Sequence, residues 1–376
     1  MKFNLGGRNA TVGESSFKEL KMRRTTKSLM QKAAVAADSF ALRQSSLSGP
    51  AARYLPALRA GQLKQRSALG LLVYRLVAKP EEWEKANALL APIFGFMEVS
   101  TAATYVLDDI IDSQPERDGE PATHIKFGVP DAIIAGGIQT FAALGMLDAP
   151  DTWGNIKAQL LKLGVDMWQT LWQGEEHNER MTHPVTVREY ILRCYEICGV
   201  MYETVATMVT IVALHDPLAA DSQTWCAREL GRYFGIAVMI RNDLTCFVPE
   251  DVMRRRSKAL ARPAGEDVKK GLYTYPVLYA IRHASSPQRR IIRGLLGEPE
   301  ITAEELAVLT QVLEETGAIR ATLDLITRYK KKCQEMVNVL ALAGHQVGST
   351  AGAADDLRAF IECLENMRSG YFVSLG

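Results

Sequence analysis

The stretch Asp108–Gly137, DDIIDSQPERDGEPATHIKFGVPDAIIAGG, opens with three aspartates at the end of a long apolar run and leads through Arg117, His124 and Gly128 into a second apolar run. At about 3.6 residues per turn, Asp108 and Asp112 stand one turn apart on one helical face, and Asp109 lies roughly 100° round from Asp108. Carboxylates so crowded repel one another unless a hard cation such as magnesium bridges them to a polyanion. A solvated acidic helix end is the plainer alternative. It suits the stretch poorly, because acidic side chains are favoured at helix starts and this one closes a helix.

Working outward, a matching stripe follows in Arg241–Glu250, RNDLTCFVPE, where Asn242, Cys246 and Glu250 fall at i, i+4 and i+8. The amide oxygen of Asn242 and the carboxylate of Glu250 suit magnesium, whereas the soft thiol of Cys246 does not. Pro249 is placed to bend the helix just before Glu250. The expected metal ligands are therefore Asp108, Asp112, Asn242 and Glu250.

Around these stripes the chain reads as all-α. Helical periods cover Leu63–Val77, Glu81–Ile111, Asp131–Leu147, Thr152–Gln173, Thr186–Leu214, Asp221–Phe247 and Val268–Ala284, with two or more helices after Thr302. Pro150, Pro184, Pro217, Pro249 and Pro263 fall between the runs, where proline does least harm. About ten or more helices without a fixed repeat imply a single orthogonal helical bundle over residues 51–376. Residues 1–50, basic and then rich in Ser and Gly, read as a partly ordered N-terminal extension.

Lys+Arg 44 against Asp+Glu 43, a formal net charge of +1, leaves no global field to attract nucleic acid, so a polyanionic ligand must be met by local charge. Six cysteines without a CxxC pair read as reduced core thiols, five of them as filler. No stretch reads as a membrane span and no signal core is visible, so the expected location is cytoplasmic. His177 beside Glu175 and Glu176, and the basic run Arg254-Arg255-Arg256-Ser257-Lys258, read as solvated polar residues.

On the two stretches already quoted, and on ARPAGEDVKKGLYTYPVLYAI with Gly265, Asp267, Gly271, Thr274 and Pro276, the sequence resembles the trans-isoprenyl diphosphate synthase family. That resemblance implies the isoprenoid synthase fold, a homodimer, and two facing aspartate-rich helices that hold three Mg2+ ions and a diphosphate. It implies catalytic roles for Asp108, Asp109, Asp112, Arg117 and Asn242, with Arg117 and Arg262 binding diphosphate.

Departures from the family pattern concentrate where isopentenyl diphosphate would bind. Leu63, Thr101 and Asp118 stand where the family has lysine, histidine and arginine, leaving Arg66, while Ile197-Cys198 and Met239 replace polar residues on the allylic side. Asn242 through Glu250 also resembles the second metal motif of class I terpene cyclases, apart from its serine. The expectation is a terpene synthase, a lyase that ionises a C15 to C25 allylic diphosphate and releases a cyclic hydrocarbon or an alcohol. Ala103 and Thr104, small and just before Asp108, point to C20 or longer, and Trp168, Trp172, Tyr195, Tyr202 and Phe234 are the expected apolar lining. A prenyl diphosphate synthase that elongates with isopentenyl diphosphate is the alternative, and a non-catalytic partner subunit the second.

Overall fold

Alanine- and leucine-rich runs with a 3.6-residue period bury one stripe each, and only mutual packing can cover those stripes. The computed structural model describes residues 64–117, 120–148, 151–215, 222–248, 264–344 and 351–366, with isolated helical positions at 28, 31, 34 and 35. The 1–50 extension, Leu63, Asp118, Glu250, Arg262 and the run 254–258 lie outside the described residues or apart from any continuous segment of them.

The first helices are α1 (Gln65–Val77) and α2 (Ala86–Ile111), then a two-residue hairpin of β1 (Glu116–Arg117) and β2 (Glu120–Pro121). Next come α3 (Thr123–Phe127), α4 (Val129–Asp148) and α5 (Lys157–Glu179). A continuous helical stretch holds α6 (Val187–Cys194), a π-helical segment at Tyr195–Gly199 and α7 (Val200–Leu214). The chain then forms α8 (Ser222–Thr245), α9 (Glu266–Lys269), α10 (Tyr275–His283), α11 (Ser286–Leu295), α12 (Ala303–Glu315), α13 (Ala318–Gly344) and α14 (Ala351–Asn366). The architecture is the all-α orthogonal bundle that the resemblance implies.

Helix α8 runs through the middle, packed on α7 and α13, while α2 packs on α4 and α1 on α7. Backbones at the α7–α8 crossing nearly touch. A Cβ on Gly231 would lie 2.3 Å from the Tyr202 carbonyl oxygen, and one on Gly235 would lie 2.6 Å from the Gly199 Cα. Only glycine permits that approach.

Several boundaries differ from the sequence reading for local reasons. Helix α5 does not stop at Gln173 but carries on to Glu179, and the run expected over Val268–Ala284 breaks at Gly271, whose φ is +73°. Ser285 caps a short amphipathic helix, α11, that the sequence reading passed over, with its hydroxyl accepting from the Gln288 N–H.

The expectation that no stretch is long and apolar enough to cross a membrane needs correcting. Ala86–Ile111, Val129–Asp148 and Val187–Leu214 all meet that length and composition. In the first and third, 78% and 83% of the most apolar stretch is buried inside the bundle, so their apolarity is core-forming. In α4 only 39% is buried, and Ile134 and Phe141 are exposed. Cys194, Cys198, Cys226, Cys246 and Cys333 are free and buried, as thiols that fill core space.

Candidate active site

The last turn of α2 delivers Asp108 and Asp112 to one face, and α5 brings Glu175 to meet them. One oxygen of each lies within 4.8 Å of the others. Docking of α5 at this depth depends on Gly174, where a Cβ would fall 2.6 Å from the Glu196 Cβ. Burial, reinforced by the charges of Asp108 and Asp112, pushes the Glu175 carboxyl up to about 7, and burial with Asp108 pushes Asp112 up to about 6 against the pull of Lys270. The Lys270 ammonium forms an ion pair with Asp112 and stands 4.0 Å from Glu266 Oε1.

A buried Glu175 oxygen, Oε1, has no hydrogen-bond partner among the described residues. Hard oxygens, crowded charge and an unsatisfied buried acceptor together fit a divalent cation such as Mg2+. Glu175 is thus a site residue that the sequence reading set aside as solvated. Its signal was the carboxylate directly after a glycine that permits close helix approach. His177, beside it, contacts Glu196 at 2.7 Å through Nδ1.

These raised carboxyls carry a pH consequence. Their folded pKa values exceed the unfolded ones near 4, so the native state without metal holds protons the unfolded chain releases, and its stability falls as pH rises from about 4 through about 7. A divalent cation needs the deprotonated forms. The expected result is that Mg2+ raises Tm little at pH 5.5 and progressively more up to pH 7.5, with protons released on binding. Calorimetry in two buffers of different ionisation enthalpy measures that release, and a Mg2+ response independent of pH would refute it.

Asp109 turns away from this cluster. It is buried, and its Oδ1 accepts from Arg117 Nε at 2.8 Å, while Arg117 Nη2 donates to Asp108 Oδ2 at 2.8 Å. The β1–β2 hairpin folds Arg117 back over the helix end, with its guanidinium 4.8 Å from the Tyr105 ring centroid. Burial raises the Asp109 carboxyl, and Arg117 opposes the rise. Asp109 thus anchors Arg117 beside Asp108 and stands apart from the Asp108–Asp112–Glu175 group.

Asn242, on α8, lines the same cavity as Asp108 and Asp112. Its neighbour Asp243 is buried, and Asp243 Oδ2 accepts from the Tyr190 hydroxyl at 2.7 Å and from Arg193 Nη1 at 3.2 Å. Cys246 lies in an apolar cluster with Leu244 and Val268, and burial pushes its thiol far up, leaving it a neutral core group. Glu250 and Arg262 fall outside the described residues.

The cavity between these walls is lined by Thr104, Trp168 and Trp172 among the expected residues, and also by Ile197, Cys198 and Met239. The other expected lining residues sit elsewhere. Ala103 is fully buried in the main core, and Phe234 packs between Tyr202 and Phe360 at centroid distances of 5.2 and 5.3 Å. The Tyr202 hydroxyl donates to Gln65 Oε1 at 3.1 Å, and Tyr195 lies under the Arg232 guanidinium. Sequence reasoning missed two cations in the lining, Arg193 and Lys270, which join Arg66 there. Lys64 is buried and 3.8 Å from Glu98 Oε2.

A family model described as polyprenyl synthetase matches residues 53–315. The chain is 26% identical over 267 residues to the geranylfarnesyl diphosphate synthase of Aeropyrum pernix, covering 70% of this chain and 78% of that one. It is 23% identical over 280 residues to the octaprenyl diphosphate synthase of Haemophilus influenzae, covering 72% and 77%. Among solved structures, a geranylgeranyl pyrophosphate synthetase from Pyrococcus horikoshii superposes with a TM-score of 0.72 at 20% identity, over 93% of this chain and 98% of that one, a likeness of fold. The matching relatives are almost uniformly chain-elongating prenyl synthases, which overturns the expectation of a terpene synthase or lyase and favours the elongating alternative. With the helical bundle, the Asp108–Asp112–Glu175 cluster and the family match in agreement, this chain belongs to the polyprenyl synthetase, or trans-isoprenyl diphosphate synthase, family.

Proposed function

We propose that the protein is a Mg2+-dependent prenyltransferase that elongates an allylic prenyl diphosphate with isopentenyl diphosphate. The observation that carries this reading is the charge of the cavity. Five carboxylates, Asp108, Asp112, Glu175, Glu266 and Asp267, line it against the three cations Arg66, Arg193 and Lys270. A diphosphate entering such a site needs added cations. Three Mg2+ ions supply them in this reading, with Asp108, Asp112, Glu175, Asn242 and Glu250 as the proposed donors.

Bound Mg2+ neutralises the leaving diphosphate and lowers the cost of its departure. The chain's own residues do the rest. Arg117, locked to Asp108 and Asp109, holds a fixed positive charge beside the first wall, and Arg262 is its proposed counterpart for the diphosphate. Arg66, stacked 5.3 Å over the Tyr202 ring, is the proposed grip on isopentenyl diphosphate. The allylic C–O bond breaks with its electron pair leaving on diphosphate, the isopentenyl double bond forms the new C–C bond, and one proton is lost. Trp168, buried in the lining, offers a π-face to the positive charge between those events and excludes water, and Trp172, exposed on its other side, lines the same cavity.

Of the positions that argued against elongation, Thr101 is buried with its hydroxyl donating to the Met97 carbonyl, and Leu63 and Asp118 lie outside the described residues; the match to the family outweighs them in this reading. Residues 51–376 form the proposed catalytic domain, with a cytoplasmic location. The exposed apolar side of α4, with Ile134 and Phe141 uncovered, supports a homodimer.

Product analysis tests the reaction directly. Purified protein with Mg2+ and C10 to C25 allylic diphosphates is expected to yield a longer diphosphate only when isopentenyl diphosphate is added. A hydrocarbon or alcohol formed without it, or no turnover by the chain alone, would sink the reading.

A further inference from the structure

Arg193 is a buried guanidinium in the wall of a cavity, and its neighbours are unusual. Its Nε donates to Asn178 Oδ1 at 2.8 Å, and its Nη1 donates to Asp243 Oδ2 at 3.2 Å. The side chains of Arg193 and Asp243 are 3% and 1% exposed. Asn178 lies three residues beyond Glu175 on α5, hence on nearly the same face, and Asp243 follows Asn242 on α8. One side chain from α6 therefore ties the helix carrying Glu175 to the helix carrying Asn242.

The same contacts decide which donor the second wall presents. Asp243 Oδ2 already takes two protein donors, from Tyr190 and Arg193, and Asp243 is not part of the cavity lining, whereas Asn242 is. The planar guanidinium divides its donors between Asn178 and Asp243, and with the Tyr190 hydroxyl it meets Asp243 Oδ2 from two sides, which fixes the carboxylate's direction. We infer that Arg193 is a positioning residue that holds Asp243 away from the metal, so that the second wall presents the neutral amide of Asn242. This rests on the metal-dependent reading above.

The consequence is electrostatic. The lining carries more carboxylates than cations before Asp243 is considered, and a further carboxylate aimed into it would oppose the approach of a diphosphate. By holding that charge against a guanidinium, the protein presents the Asn242 oxygen without adding to the repulsion. Arg193 acts through Asp243 and Asn178 and touches neither metal nor substrate in this scheme.

Mn2+ titration with inorganic diphosphate present, followed by electron paramagnetic resonance, separates this role from ordinary packing. Asp243→Asn, near-isosteric, is expected to bind Mn2+ within twofold of the wild type, while Asn242→Leu weakens binding at least tenfold. Arg193→Met, by freeing Asp243, is expected to tighten Mn2+ binding at least fivefold. Arg193→Lys and the Arg193→Met/Asp243→Asn pair are expected to stay within twofold of the wild type.

A tenfold loss in Asp243→Asn would make Asp243 a ligand and overturn the inference. So would an Arg193→Met protein that melts cooperatively with unchanged Mn2+ affinity. Removing one partner of a buried pair is strongly destabilising, and if Arg193→Met does not fold, Asp243→Asn and Arg193→Lys decide the question. Wild-type protein that binds no Mn2+ would overturn the metal reading itself, an outcome separate from loss in Asp243→Asn alone.

Discussion

Alanine at Asp108 or at Asp112 is expected to lower kcat/KM for elongation by about 10³-fold, or about 4 kcal/mol of transition-state stabilisation. Each supplies one of three carboxylate oxygens held within 4.8 Å, so each removal takes charge from the point where, in the proposed reaction, a cation would meet the departing diphosphate. Stability is expected to change little. Without metal, burial and neighbouring charge raise the Asp112 and Glu175 carboxyls. Removing Asp108 or Asp112 relieves that repulsion but takes a partner from Arg117 or Lys270, so Tm in chelator is expected to shift by no more than a few degrees. Steady-state kinetics with Mg2+ and a thermal melt in EDTA check both halves. A variant that keeps its kcat/KM would remove the acidic cluster from the mechanism.

The largest effect on folding is expected from Gly231→Ala. The added methyl would meet the Tyr202 carbonyl oxygen at 2.3 Å, the Tyr202 carbonyl carbon at 2.7 Å and the Glu203 Cα at 2.8 Å, all of them backbone. No rotamer change relieves such a contact, so α7 must move away from α8. That motion disturbs the Tyr202–Gln65 bond and the hydrogen bonds by which Glu203 holds Arg228 and Arg232. The expected loss is about 3 kcal/mol or more, read as a fall in the denaturation midpoint at unchanged m-value. Gly145→Ala is the control. Gly145 is exposed and its added Cβ meets nothing within 4 Å, so there the gain in helix propensity, about 0.5–1 kcal/mol, is expected to stabilise.

The metal face of α2 was legible because it needs only the helical period, which puts Asp108 and Asp112 on one stripe whatever surrounds them. Glu175 was not, since its partners come from another helix and its approach depends on the Gly174 contact with Glu196. The aromatic residues divide for a related reason. Trp168 and Trp172 face the cavity and Tyr202 and Phe234 face the core, yet periodicity cannot distinguish two apolar sides of a buried helix. The reaction was misread for another reason: the lost positions of one subsite were weighed above the long match to the family, whose matching relatives are almost uniformly elongating synthases. Fold class depended on none of this, because helical period and proline placement repeat along the whole chain.

The π-helical segment Tyr195–Gly199 holds one residue more than α-helical pitch requires, between α6 and α7, which are anchored independently. Two of its residues, Ile197 and Cys198, form part of the cavity wall. Losing a single residue here would let the helix heal to ordinary pitch and rotate a new set of side chains toward the substrate, while Arg193 before it and Tyr202 after it kept their contacts. At this point in the chain, selectivity can drift by insertion and deletion, in steps of one residue, without any substitution in the wall itself.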